Sequence, residues 1–281
     1  MVTTTPIGRQ RPPRLLELLD PPIHHALDRI PIQAGQRVLD IGAGTGQLTT
    51  RLARLVGPSG NVTAVDRDTS YLAPTGIIDV YQRALDADEL PGEPGSFDVA
   101  VARWMHGALP DPNAVIRQII DWLRPGGWLI LADVPFTPAQ VFQPRPDYAT
   151  WTSDPCSQDA DLIQHLMTMI YGFLTGTGRP TWPLDVTRPL VAAGLNPVCA
   201  HRSVETWTGG GPGCQILADT AEHLRPRLVQ PELSHNDLDR FVNLMADPTV
   251  LLSSYERRTV HARKPATPQH PATPATPSVQ A

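Results

Sequence analysis

The 281-residue sequence predicts an α/β fold built on a doubly wound, mostly parallel sheet. Three observations carry this. A short apolar strand, Val38, Leu39 and Ile41, turns on Gly42, Gly44 and Gly46 into an amphipathic helix with Leu48, Leu52, Leu55 and Val56 on one face. Strand-like and helix-like segments then alternate as far as Asp133. The turn Leu123 to Gly127, L-R-P-G-G, leads into a further apolar strand, Trp128 to Ala132.

In chain order, residues 1–30 read as a cap: a disordered opening, a short helix from Arg14 broken by Pro21-Pro22, and another from Ile23 to Ile30. The strand and glycine turn follow within R-V-L-D-I-G-A-G-T-G-Q-L. Such a turn brings bare backbone close to a ligand at a helix N-terminus, where N–H groups point outward. The spacing is G-x-G-x-G, because Gln47 stands where the longer dinucleotide pattern has glycine, and Asp40 lies two residues before the first glycine.

V-L-D-I-G-A-G-T-G resembles the first motif of class I S-adenosylmethionine-dependent methyltransferases. The resemblance covers about residues 31–135 and implies a Rossmann-like sheet of seven strands with the last antiparallel. It also implies that Asp40, Gly42, Ala43, Gly44, Thr45 and Gly46 border the cofactor. Asp40 suits a cationic ammonium and sulfonium end, whereas it would repel a pyrophosphate.

Gly57-Pro58-Ser59-Gly60 is a turn, and Asn61 to Val65 a second strand ending in Asp66. Asp66 stands 20 residues beyond Gly46, near the offset at which an acid reaches ribose hydroxyls. Its carboxylate can accept from both hydroxyls of a cis-diol; Asp68, the competitor, has left the strand. Arg67 lies between them, also at the cofactor. Between Thr69 and Gly76 there is room for one helical turn before Pro74 stops it, shorter than the family's usual second helix. Ile77 to Ala84 is a third strand. The loop Leu85 to Pro91 resembles the family's adenine-holding segment, which makes Asp86 the acceptor for the exocyclic amine and Ala87 the backbone donor.

Gly95-Ser96-Phe97-Asp98-Val99 resembles the family's entry into strand four, whose continuation is Arg103-Trp104-Met105-His106. Ligands bind at the carboxyl ends of such strands near the switch in strand order. Arg103 and Trp104 are therefore expected at the cofactor, with Arg103 orienting either its carboxylate or an acidic substrate. His106 is the candidate general base, because its ordinary pKa suits proton transfer. Family members often carry that histidine two positions later, where this chain has Ala108, so a packing role competes. Asp111-Pro112 caps a helix with Val115, Ile116, Ile119, Ile120 and Leu123 on its buried face. Asp133 ends strand five and is expected at the acceptor.

Residues 136–185 read as a helical insertion, with Asp159 to Thr175 presenting a wide apolar face; the resemblance implies a lid over the acceptor, and an extra core helix is a compatible reading. Tyr148, Trp151, Tyr171 and Trp182 supply aromatic surface, Tyr171 being the one placed at the acceptor. Residues 186–263 complete the fold: a helix from Asp185 to Gly194, strand six from Val198 to Trp207, and a helix around Ile216 to Leu228. A capping box follows at Ser234 and Asp237, and Tyr255 to Ala262 is the last strand. The proline-spaced ending, 264–281, has no core-forming residues and is expected to be disordered.

Composition bounds the partners. A formal charge of −5 and the lack of a basic stripe give no reason to expect nucleic acid. No stretch of about 18 apolar residues would span a bilayer, and the opening lacks a signal-peptide core; cytoplasm is the expectation. Three cysteines without metal-like spacing point to reduced thiols, and no metal site is expected. The oligomeric state is open.

The resemblance as a whole is to bacterial small-molecule methyltransferases that tailor secondary metabolites. It implies transfer of a methyl group from S-adenosylmethionine, leaving S-adenosylhomocysteine, to oxygen, nitrogen or carbon of a small acceptor. Two alternatives stay open: a methyltransferase fold that catalyses another reaction, such as a cyclisation, or only binds ligand, and an NAD-dependent reductase. Gln47 and Asp40 speak against the reductase.

Overall fold

The computed structural model describes residues 21–83, 91–103, 111–135, 137–138, 140–145, 148–153, 158–175 and 185–266. Asp86, Ala87, Trp104, His106 and Trp182, the first predicted helix and nearly all of the proline-spaced ending lie outside the described residues.

The chain opens with α1 (Pro21–Leu27), β1 (Arg37–Ile41), α2 (Gln47–Val56), β2 (Asn61–Asp66), β3 (Ile78–Gln82) and β4 (Phe97–Arg103). It continues with α3 (Pro112–Trp122) and β5 (Leu123–Asp133). The main sheet has seven strands in the order β3-β2-β1-β4-β5-β11-β8, where β8 is Val198–Ser203 and β11 is Arg257–Arg263. β3, β2, β1, β4 and β5 run parallel, and β11 lies antiparallel between β5 and β8. The expected fold class is thus met, antiparallel last strand included. The strand order reverses between β1 and β4, the switch point at whose carboxyl edge such sheets bind their ligands.

Alternation along each strand separates two cores. Val38 of β1, Val62 of β2 and Val99 and Val101 of β4 pack under Leu48, Leu52 and Val56 of α2 and Ile23 and Leu27 of α1. Leu39, Ile41, Ala100 and Leu129 face the other way, against Ile116, Ile119 and Ile120 of α3 and Leu190 of α5 (Thr187–Ala192). Because side chains alternate every residue, a one-residue slip would exchange the two cores, so the register is strongly set. Asp111 caps α3, its side chain accepting from the Ala114 N–H.

A third core holds the second layer. It unites α4 (Gln158–Thr175), α6 (Pro212–Leu228) and α7 (His235–Ala246) around Ile163, Leu166, Leu224, Leu238 and Phe241. The Ser234–Asp237 capping box is present at α7. Beside it stands a small antiparallel sheet, β7-β6-β10-β9, made of β6 (Val141–Arg145), β7 (Tyr148–Ser153), β9 (Thr206–Thr208) and β10 (Leu251–Ser253). The sequence reading gave this insertion as helical, and the structure adds a strand pair to it.

One further difference has a local cause, and one shortening is as expected. The run read as one strand from Val198 to Trp207 divides at Val204-Glu205. There Glu205 exchanges hydrogen bonds with Ser254: its N–H donates to Ser254 Oγ at 2.8 Å, and its carbonyl accepts from Ser254 N–H at 2.7 Å. The chain thereby crosses from the main sheet to the small one. Between β2 and β3 there is no helix, only a turn in which Leu72 N–H donates to the Thr69 carbonyl at 2.9 Å.

Candidate functional site

The glycine loop is held from three sides. The N–H groups of Gly42 and Ala43 both donate to the carbonyl of Val65 on β2, at 2.9 and 3.2 Å. The N–H of Gly44 donates to Asp66 Oδ2 at 2.8 Å. The carbonyl of Ala43 accepts from Arg103 Nη2 at 2.9 Å. Gly42 and Gly46 are required twice over. Both have positive φ, 75° and 77°. A Cβ on Gly42 would collide with the Arg103 carbonyl, and one on Gly46 would stand 2.7 Å from Leu72 Cδ2.

Asp66, half-buried at the tip of β2, is engaged through both oxygens: Oδ2 takes the Gly44 N–H and Oδ1 the Asp68 N–H, at 2.9 Å. A carboxylate oxygen has two acceptor positions, so one on each oxygen remains for a vicinal pair of hydroxyls. Asp68 in turn accepts from the Ser70 N–H at 3.0 Å. The short 68–72 turn thus runs from Asp66 back to Gly46, where Leu72 rests. Thr45 is half-buried on the loop, and Arg67 is exposed, its carbonyl accepting from Gln82 Nε2.

Asp40 has no exposed surface. Its Oδ2 accepts from Thr49 Oγ1 at 2.7 Å, and its Oδ1 lies 3.8 Å from Arg103 Nη2. Arg103 is itself only 4% exposed, so the two charges share one desolvated space below the loop, where each offsets the other's burial. Thr49 was not anticipated. Its signal was available: it is a hydroxyl on the buried face of α2, among Leu48, Leu52 and Val56.

One strand over, Arg103 pairs with Ala132, so Asp133 lies next along the same edge. Asp133 is buried and accepts from the Val134 N–H at 3.1 Å. The hydroxyl of Tyr171 on α4 donates to the Val134 carbonyl at 2.6 Å, which docks the second layer onto the end of β5. Tyr255 stacks at a tilt 5.8 Å from Tyr171, and its hydroxyl donates to the Met167 carbonyl at 2.9 Å. Burial raises the pKa of both phenols, keeping them protonated donors.

Across from Asp133 in the β5–β11 register stands Arg258, which donates to the buried Glu256 at 2.8 Å; Arg202 reaches the same carboxylate at 2.9 Å. This ladder was also not foreseen, since Glu256 and Arg258 lie more than 120 positions from Asp133 with no motif between them. Among the described residues no His, Cys, Asp and Glu group could hold a metal. No helix among them is long and apolar enough to cross a membrane.

Comparison with known proteins fits this geometry. A family model described as a methyltransferase domain matches residues 9–171. Methyltransferase str2 of Strobilurus tenacellus is 35% identical over 111 residues, which is 39% of this chain and 40% of that protein. The ubiquinone biosynthesis O-methyltransferase of Xanthomonas euvesicatoria pv. vesicatoria is 37% identical over 113 residues, 38% and 46% of the two chains. The ubiquinone/menaquinone biosynthesis C-methyltransferase of Vibrio parahaemolyticus is 32% identical over 130 residues, 42% and 50%. The alignments with these curated relatives therefore span half of their length or less.

Among solved structures, a chain of the Haloferax volcanii complex between the Trm112 methyltransferase activator and a candidate methyltransferase superposes with a TM-score of 0.51. It does so at 17% identity over 92% of this chain and 94% of that one. A candidate methyltransferase of Bacillus halodurans gives 0.50 at 16% identity, over 86% and 98%. These likenesses establish the fold. With more than half of its length matched by the family model, and with the glycine loop and acid-tipped second strand in place, the chain belongs to the class I S-adenosylmethionine-dependent methyltransferases.

Proposed function

We propose that this protein transfers a methyl group from S-adenosylmethionine to a small organic acceptor, at oxygen. The observation that carries the reading is the bond between Gly44 N–H and Asp66, which makes the glycine loop and the diol acceptor one unit. The residues fit the cofactor: each Asp66 oxygen keeps a position for a ribose hydroxyl, and the loop bonded to Asp66 carries no side chain at Gly42, Gly44 and Gly46.

When bound, S-adenosylmethionine supplies a sulfonium methyl whose leaving group is a neutral thioether. The chain's own part is orientation and exclusion of water, and alignment of reacting groups is worth up to about 7–11 kcal/mol in favourable cases. In this reading Asp66 holds the ribose, Asp86 and Ala87 the adenine, and the carboxyl ends of β4 and β5 bound the reacting centre. Asp133 borders the acceptor from β5. α4, tied down by Tyr171, closes that side against solvent. His106, three residues beyond β4 in the sequence, takes the acceptor's proton, a contribution of about 10²–10⁴-fold.

The relatives' names cover methyl transfer to oxygen and to carbon in quinone biosynthesis, which supports a small organic acceptor. Secondary metabolism is the setting we propose. The test is incubation with methyl-labelled cofactor and a panel of phenols, carboxylates, amines and activated carbons. Label appearing in a phenol or carboxylate supports the proposal; label in an amine or carbon moves the attacking atom; label that never leaves the cofactor contradicts methyl transfer.

A further inference from the structure

The acid before the glycines invites a direct role, contact with the cofactor's ammonium, and Arg103 invites contact with its carboxylate. The geometry points elsewhere. Asp40 is wholly buried and Arg103 nearly so, and the Arg103 guanidinium meets the loop at the Ala43 carbonyl. We propose that Asp40, Arg103 and Thr49 are positioning residues: they set the shape of the glycine loop from below, and through Gly44 the place of Asp66, without touching the cofactor's amino-acid end. This rests on the cofactor reading above.

The contacts form one continuous path. Thr49 Oγ1 donates to Asp40 at 2.7 Å and fixes that carboxylate against α2. The carboxylate faces the Arg103 guanidinium at 3.8 Å and supplies the charge that lets an arginine stay buried. Arg103 Nη2 then donates to the Ala43 carbonyl at 2.9 Å. A carbonyl held this way orients the peptide that joins Ala43 to Gly44, and the N–H of that same peptide is the one bonded to Asp66 at 2.8 Å. The backbone carbonyl of Arg103 meets the loop as well, directly against Gly42. One residue therefore grips the loop through main chain and side chain, and a single peptide plane passes its position on to the diol acceptor.

Two ligands separate the possibilities. S-adenosylhomocysteine carries the amino-acid end; 5′-methylthioadenosine keeps the adenosine and thioether but lacks it. Dissociation constants for both are measured by calorimetry on the full chain: parent, Asp40→Asn, Arg103→Met, Arg103→Lys and Thr49→Val. Circular dichroism confirms that each is folded at the working temperature. The expected result is that Asp40→Asn and Arg103→Met weaken both ligands by the same factor, about tenfold. Arg103→Lys recovers part of the loss for both, because it keeps a charge opposite Asp40.

Weakening confined to S-adenosylhomocysteine overturns the proposal, since it reports direct contact with the amino-acid end. A lowered melting temperature with both affinities unchanged overturns it too, leaving the pair a purely stabilising one. Should Asp40→Asn and Arg103→Met fail to fold, Thr49→Val decides: it keeps both charges and is expected to weaken both ligands two- to threefold, and no change in either contradicts the proposal. A parent protein that binds neither ligand fails the cofactor reading itself, a result distinct from all of these.

Discussion

Around the glycine loop, the contacts that shape the site arise between Asp40 and Arg103, from neighbouring strands and the turns that join them. At the end of β5 the supports come from far along the chain: Tyr171 on α4, Tyr255 ahead of β11, and Arg258 and Glu256 at the start of it. The first half of the carboxyl edge presents the backbone of the glycine loop, tied down by side chains from the same stretch of chain: Asp40, Thr49, Asp66 and Arg103. The second half is held by phenols and an ion-pair ladder that reach it only through long-range contacts. A shared cofactor calls for a constant cradle, whereas an acceptor pocket gains by being remade with each substrate. On the function proposed above, the locally built half is the cofactor cradle and the half built from afar is the acceptor side.

Substitutions that separate the two halves sharpen the contrast. The largest effect on stability is expected from Phe241→Ala in the third core, where a fully buried ring is lost. About 3–5 kcal/mol should disappear from chemical unfolding. Affinity for S-adenosylhomocysteine, measured where the variant is still folded, should stay within about threefold; a much larger loss would join the two halves into one unit. Asp66→Ala should do the reverse. Two hydrogen bonds to a charged acceptor are worth about 3 kcal/mol or more together, so calorimetry should find affinity lower by about a hundredfold with only a modest change in melting temperature.

Smaller effects test the join. Tyr171→Phe leaves the buried Val134 carbonyl without its donor, at a cost of about 1–3 kcal/mol in denaturant unfolding. It should leave the affinity for S-adenosylhomocysteine alone; a tenfold change there would place Tyr171 in the cofactor half. The smallest effect is a pH slope. Burial first, then the electrostatic influence of His201 and Arg29, lowers the pKa of His261 below the ordinary 6.5. Across that window the unfolded chain binds the proton and the folded chain does not. Stability should therefore fall as pH drops below about 6.5 and level off beneath the lowered value. His261→Asn should flatten this part of the profile measured by urea unfolding at stepped pH.

The same contrast explains what the sequence disclosed. The cradle is local, so its spacing is written in consecutive residues: strand, three glycines, helix, and an acid at the tip of the next strand. Capping at Asp111 and Ser234 was legible for the same reason. The small sheet was not, because β10 is only three residues long and β6 carries Pro144, and neither shows enough alternation to announce a strand. Arg258 and Glu256 were hidden by distance in sequence. Asp40 was visible as an acid in a motif, but its burial beneath the loop, and hence its partner Arg103, emerges only when β1 and β4 lie side by side.

The most direct test of the central claim is a crystal structure of the full chain with S-adenosylhomocysteine. The account predicts both ribose hydroxyls within hydrogen-bonding distance of Asp66, one on each oxygen, with the Gly44 bond to Asp66 retained. A ligand seated elsewhere, or a ribose that leaves Asp66 bonded to the backbone alone, would contradict it.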